Sequence, residues 1–379
     1  MKQTILNNAQ LILPNEIATG HLVIEDGKIK EVSSGLCAQT DAIDVDGDFL
    51  MPGLIELHTD SMEKFFEPRP GVNWPGIPAA LAHDAQIAAA GITTVFDAVS
   101  VGYDFVASRK DTMPIIIESI SAAEQKGLHK IEHFLHLRCE VSSKETHEEF
   151  LNYADNDLVR LASLMDHAPG QRQFANVDKY RQYYQGKYRF SDQEMDEFID
   201  RHKDRSSQNS VRNRDAIAQY CHENNIAIAS HDDAKSEHVQ ESMEYGVTIA
   251  EFPTTVEAAK MSHENGLCVL MGAPNLIRGM SHSGNVSAAQ LATHDYLDIL
   301  SSDYFPNSLL HATFKLASNE IGYSLPKAVR CVTQHPAVSV GLDDRGVIEA
   351  GKLADLLRVK VVDGLPILQQ VWKRGERVS

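Results

Sequence analysis

Histidines and carboxylates recur at the ends of short apolar runs along this chain. Leu54-Ile-Glu-Leu-His58-Thr-Asp60 places an imidazole and a carboxylate two positions apart. Alternation along a strand would turn both to one side. Arg138-Cys139-Glu140, Asp166-His167, His231-Asp232-Asp233 and Ser301-Ser302-Asp303 repeat the theme after later runs. Nitrogen and oxygen donors of this kind suit zinc, manganese or iron. We expect His58, Asp60, Glu140, His167, His231 and Asp303 to hold one or two divalent metal ions, zinc first. Glu140 can bridge two ions, and Asp303 can take the proton from water that they activate. Glu251 reads as a polar residue closing a strand, and Asp166, Asp232 and Asp233 as groups that orient histidines. Loops are polar in any protein, so each assignment competes with an ordinary turn. His83, His133, His136 and His238 are read as packed or solvent-facing.

Such residues meet only if the fold gathers strand ends. Eight strand-like runs lie at 53–58, 93–99, 131–139, 158–165, 226–230, 247–252, 267–272 and 297–301. Helix-forming stretches such as 79–90 and 212–224 separate them. Alternation on this scale predicts a (β/α)8 TIM barrel, whose chemistry sits at the C-terminal ends of its strands. An open doubly wound sheet would usually carry Gly-x-Gly-x-x-Gly after its first strand, and that motif is absent. Residues 1–50 read as short strands, with Asp26-Gly27 between two alternating segments as a hairpin signal. The tail returns to β around Asp363-Gly364. We expect 1–50 and 345–379 to form one small β-domain, a β-sandwich, beside a barrel of 51–344.

Composition narrows the partners. A net charge of -18 disfavours duplex nucleic acid and anionic membranes. Five scattered cysteines without a Cys-x-x-Cys pair point to a reducing compartment. The first residues lack a long apolar run, so the expected location is the cytoplasm. A homo-oligomer is compatible with all of this. Residues 168–211 are too long for an ordinary βα loop. Within them, Arg172, Lys179, Arg181, Lys187 and Arg189 face one acid, Asp178, over 171–189.

His58-Thr-Asp60, His231, Asp303 and Gly346-Val-Ile-Glu-Ala-Gly-Lys-Leu-Ala-Asp355 together resemble the amidohydrolase superfamily over nearly the whole chain. That superfamily usually has His-x-His on the first strand, where Asp60 stands here. Its usual bridging lysine is missing, with Glu140 as the replacement. A narrower resemblance rests on Pro68-Arg-Pro-Gly-Val-Asn-Trp-Pro75, Asp166-His-Ala-Pro-Gly-Gln-Arg-Gln-Phe174, Ala229-Ser-His-Asp-Asp233, Met271-Gly-Ala-Pro-Asn275 and Ser281-His-Ser-Gly-Asn285. These motifs look like the ribosyl-triphosphate diphosphatases of phosphonate catabolism, in the carbon–phosphorus lyase pathway. The resemblance implies a metal-dependent hydrolase releasing pyrophosphate from a small anionic ribosyl triphosphate. Arginine forks match phosphate oxygens. Arg69, Arg138, Arg172, Lys187, Arg278 and His282 are therefore expected to contact substrate. An amidase or deacetylase, or a barrel retained as a non-catalytic subunit, are the competing readings.

Overall fold

A computed structural model describes residues 3–102, 107–174, 177–279 and 285–379. The chain opens with β1 (Gln3–Ile12), β2 (Ile17–Glu25), β3 (Lys28–Ser34), β4 (Ile43–Asp44) and β5 (Phe49–Pro52). Asp26 and Gly27 join β2 to β3 with φ of 50° and 79°. Both central residues thus take the positive φ that a tight hairpin needs.

Eight parallel strands follow: β6 (Leu54–Thr59), β7 (Ile92–Val101), β8 (Glu132–Glu140), β9 (Val159–Met165), β10 (Ala227–His231), β11 (Ile249–Glu251), β12 (Cys268–Gly272) and β13 (Ile299–Ser301). They pair in chain order. A bridge between Thr59 and Asp303 brings the last strand back to the first. There the Asp303 amide donates to the His58 carbonyl (3.1 Å) and the Asp60 amide to the Asp303 carbonyl (3.3 Å). Every residue of β6 and β7 is buried, as strands covered on both faces require. Ile55, Phe96, Leu161, Ala229, Ile249 and Leu270 belong to the cluster that fills the barrel. The eight runs singled out in the sequence are these eight strands.

The chain then returns through β14 (Leu356–Val362), β15 (Leu365–Lys373) and β16 (Glu376–Arg377). The sheet order is β16-β15-β14-β5-β1-β2-β3, with β4 beside β1. Both chain ends therefore build one sheet. Glu132, at the start of β8, ties it to the barrel by accepting from Arg345 and from Lys373 (3.1 Å).

The insertion is helical. A turn at Arg172–Phe174 leads into helices Val177–Tyr188 and Asp192–Glu223. The second helix starts at a capping box in which Ser191 and Glu194 satisfy each other's backbone amides. Phe174, Tyr180, Tyr184, Met195, Phe198 and Ile199 form a separate small core, so the aromatic residues of this segment pack on one another. The same long helix reaches the barrel, where Asn213 donates to the carbonyls of Val141 (2.8 Å) and Ser143 (2.7 Å). All five cysteines are unpaired. Among the described residues, no helix is long and apolar enough to cross a membrane.

Candidate metal centre at the barrel mouth

His58 is the last residue but one of β6, His231 ends β10 and Glu251 ends β11. Parallel pairing sets His231 opposite Glu251. The carboxylate of Glu251 meets His58 Nδ1 at 3.0 Å through one oxygen and His231 Nδ1 at 3.2 Å through the other. The two rings stack, with centroids 5.6 Å apart, and Phe252 packs edge-on against both. One acid thus fixes two imidazoles and leaves the Nε2 of each for another partner. Burial opposes the charge on Glu251, but His58, His136 and its hydrogen bonds outweigh burial and hold it well below the usual carboxylate range.

His167 follows β9. Its Nδ1 lies 2.7 Å from Glu140 at the end of β8, and Glu140 also accepts the His167 amide (3.2 Å). Beyond them lies Asp232. Its Oδ2 is 3.4 Å from His231 Nε2 and 3.6 Å from His167 Nε2. That oxygen is buried and without a hydrogen-bond partner among the described residues. Donors around a tetrahedral ion with bonds of about 2.0–2.1 Å stand roughly 3.3 Å apart. These separations suit groups sharing a cation better than groups sharing a proton. The His231 imidazole is pushed down by burial, which keeps its lone pair free for a metal. His167, His231 and Asp232 therefore fit a divalent ion, with His58 beside them on its carboxylate hinge.

Asp303 lines the same mouth from just beyond β13. Burial, and after it the charge of Asp60, raises its carboxyl above the usual range. The turns out of β10, β11 and β13 are strained, since Asp232, Phe252 and Asp303 have φ of 60°, 52° and 53°. Non-glycine residues held this way cost about 1–3 kcal/mol each and gather at functional sites. Below Asp303, Glu56 accepts the amides of Ser302 (2.6 Å) and His58 (2.7 Å) and pins β13 to β6. Burial pushes its carboxyl up to about 7.

The expected residues meet this mouth unequally. His58, His231 and Asp303 line a cavity of about 230 Å³, together with Arg138 and Arg278. Glu140 holds His167 from behind. Asp60 lies past the end of β6, 3.5 Å from Arg138 Nη1. A register irregularity between Glu56 and Thr59 interrupts the simple alternation that would have paired Asp60 with His58. Arg172 is buried away from the cavity, between Asp233 and Glu241 (2.8 Å to the latter). Arg69 is exposed in a turn closed by the Val72 amide on its carbonyl (2.9 Å). The Lys187 side chain and His282 fall outside the described residues. His136 is a packed histidine with both nitrogens taken, by the Leu57 carbonyl (2.9 Å) and Ser163 Oγ (3.0 Å).

Sequence reading undervalued Glu251 and Asp232. Their positions carried one usable signal. Glu251 ends a strand next in order to the one ending in His231, and neighbouring parallel strands bring such ends together. Gln173, Asn275, Asn285 and Tyr304, also on the cavity wall, had no spacing to mark them.

A parallel barrel with imidazoles and acids at its C-terminal mouth, beside a sheet made from both chain ends, is an amidohydrolase arrangement. The Amidohydrolase family model matches residues 49–378, and the chain belongs to that family. Over 376 residues the chain is 47% identical to the alpha-D-ribose 1-methylphosphonate 5-triphosphate diphosphatase of Escherichia coli (strain K12), spanning 99% of this chain and 100% of that protein. Among solved structures it resembles a 5-methylcytosine deaminase from Klebsiella pneumoniae, with a TM-score of 0.68 and 15% identity over 99% of this chain and 98% of that one. An N-acetylglucosamine-6-phosphate deacetylase from Pasteurella multocida gives a TM-score of 0.63 and 14% identity over 99% of both chains. At that distance these structures share the fold.

Proposed function

We propose that this chain hydrolyses α-D-ribose 1-methylphosphonate 5-triphosphate to the 5-phosphate and pyrophosphate, a step of phosphonate catabolism. The observation that carries this reading is the 47% identity with the Escherichia coli diphosphatase across 99% of the chain. The mouth supports it with two arginines beside the histidines and acids. Arg138 contributes a buried Nε with no partner among the described residues, and Arg278 stands on the cavity wall. Guanidinium forks suit a pyrophosphate leaving group.

In this reading His58, His167, His231 and Asp232 hold the metal, zinc by donor type, and Glu251 and Glu140 orient the rings from behind. Asp60, 3.5 Å from Arg138 Nη1, steadies that guanidinium and stands outside the ligand set. A divalent ion there supplies Lewis acidity and lowers the pKa of water. Asp303, whose carboxyl is raised, accepts the proton as water attacks the phosphorus next to the ribose. Arg138 neutralises the charge that collects on the departing pyrophosphate, and Arg278 binds the phosphates of the substrate. The chain divides into a β-domain of 1–50 plus 345–379 and a hydrolase barrel of 51–344, and works in the cytoplasm.

The test is hydrolysis by the purified chain with zinc or manganese, followed by ³¹P NMR. Pyrophosphate and the ribosyl 5-phosphate should appear in equal amounts. Release of inorganic phosphate alone, or no turnover with either metal, defeats the reading. In ¹⁸O-water the label should enter the ribosyl phosphate; label in pyrophosphate would move the attack to another phosphorus.

A further inference from the structure

The helical insertion after β9 is tied to the strand ends that carry the mouth. In helix Asp192–Glu223, Ser206, Ser210 and Arg214 recur every four residues and so share one face. All three donate to Asp166, the residue before His167: Ser206 Oγ at 3.2 Å, Ser210 Oγ at 2.8 Å and Arg214 Nη2 at 3.1 Å. From the same helix Asn213 holds the turn after β8 by its carbonyls. Ser142 in that turn donates to Glu140 (2.5 Å), the partner of His167.

Arg214 also reaches past Asp166. Its Nη1 lies 3.2 Å from Glu241, on helix Ser236–Glu244. The other oxygen of Glu241 accepts from Arg172 Nη2 at 2.8 Å. Arg172 Nη1 pairs in turn with Asp233, the residue after Asp232, whose second oxygen accepts from Ser242 (3.1 Å). The result is one run of alternating charge, Asp166–Arg214–Glu241–Arg172–Asp233. It starts one residue from His167 and ends one residue from Asp232, two donors that an ion at the mouth must bridge. Asp166, Arg172, Arg214 and Asp233 are 2%, 3%, 5% and 1% exposed, so salt screens these pairs little. Arg172 has φ of 34°, a left-handed backbone that a non-glycine residue keeps only where its surroundings fix it. Buried ion pairs add little net stability over apolar packing, because desolvation offsets their attraction. What this run supplies is a fixed orientation for two turns.

We propose that Arg172 and Arg214, joined through Glu241, are positioning residues that set the turns of His167 and Asp232 for a divalent ion, so that the insertion clamps the metal centre. This rests on the reading of His167, His231 and Asp232 as metal donors. Neither arginine lines the cavity; both act through Asp166 and Asp233.

The test reads the ion directly. The full chain is stripped of metal, loaded with cobalt(II), and followed by visible absorption and chelator competition. Glu241→Gln keeps the shape of the central link and removes its charge. Arg172→Lys keeps the charge and loses the fork that spans two acids. Each should weaken cobalt affinity about tenfold and shift the ligand-field bands. Met195→Ala, in the small core of the insertion, should lower Tm and leave both cobalt readings at wild-type values. Wild-type bands and affinity in Glu241→Gln and Arg172→Lys, or equal shifts in Met195→Ala, would overturn the clamp. Should Arg172→Lys fail to fold, Glu241→Gln decides alone, since the Glu241 side chain is 36% exposed and an amide fits in its place. His231→Asn tests the underlying reading separately. It should lose cobalt at the mouth whether or not the clamp exists; unchanged binding would place the ion elsewhere and take the proposal with it.

Discussion

The mouth and the outer wall of this barrel contain the same small device. In each, a buried carboxylate uses its two oxygens to hold two imidazoles: Glu251 between His58 and His231, Asp97 between His83 and His133. Their surroundings differ. The mouth pair lines a cavity with Arg138 and Arg278, on strand ends bent into strained turns. The outer pair lies between two strands and a helix, shut off from water. Residue type alone therefore does not make a site reactive. Access for water and substrate does, and one step in strand parity decides which side a residue serves.

The widest gap between the two should appear on removing one acid from each. Asp303→Asn should lower kcat by about 10²–10⁴-fold with metal content unchanged by mass spectrometry; full activity would remove Asp303 from the chemistry. Asp97→Asn should do the reverse. It leaves buried partners uncompensated and should cost about 3–5 kcal/mol of stability in denaturant melts, while kcat per folded chain stays the same. A variant that melts like wild type but turns over slowly would erase the distinction drawn here.

A third region gives a pH test. Burial opposes ionisation of Glu132, but Lys373 and Arg345 outweigh it and hold the carboxyl at about 2. A depressed carboxyl contributes stability that is complete above its unfolded pKa near 4.5 and fades as pH falls toward 2. The tie between end sheet and barrel should thus be worth about 3 kcal/mol at neutral pH. Glu132→Gln should flatten the acid limb of the stability curve; an identical limb would show that the tie carries no such energy. Glu251→Gln should weaken metal binding by about 10–100-fold in chelator competition, since one ring loses its fixed orientation. Unchanged affinity would mean that the two imidazoles are held by packing alone. Smallest of all, Arg278→Ala should raise KM about tenfold at an exposed contact, with kcat little changed. A fall in kcat with constant KM would instead place Arg278 on the departing charge.

Much of this was legible in advance. The strand–helix alternation gave eight strands and their order, because burial on both faces writes a continuous apolar run. The two Asp-Gly turns at 26–27 and 363–364 marked the end sheet, because positive φ restricts residue choice. His58, His231 and Asp303 were visible as polar residues where those runs stop. Arg172 shows where such reading fails: a basic residue in a basic, aromatic segment is buried against Asp233 and Glu241, since local charge does not say which acids the fold will supply.

The sequence by itself determined the class of fold and which strand ends carry imidazoles and acids. Only the tertiary structure decided that Glu251 lies between His58 and His231, that one Asp232 oxygen lies between the Nε2 atoms of His167 and His231, and that Asp97 faces away from the mouth. The reason is geometric. Periodicity along one strand fixes which side a residue faces, whereas the distance between residues on different strands depends on register and closure, to which the whole barrel contributes.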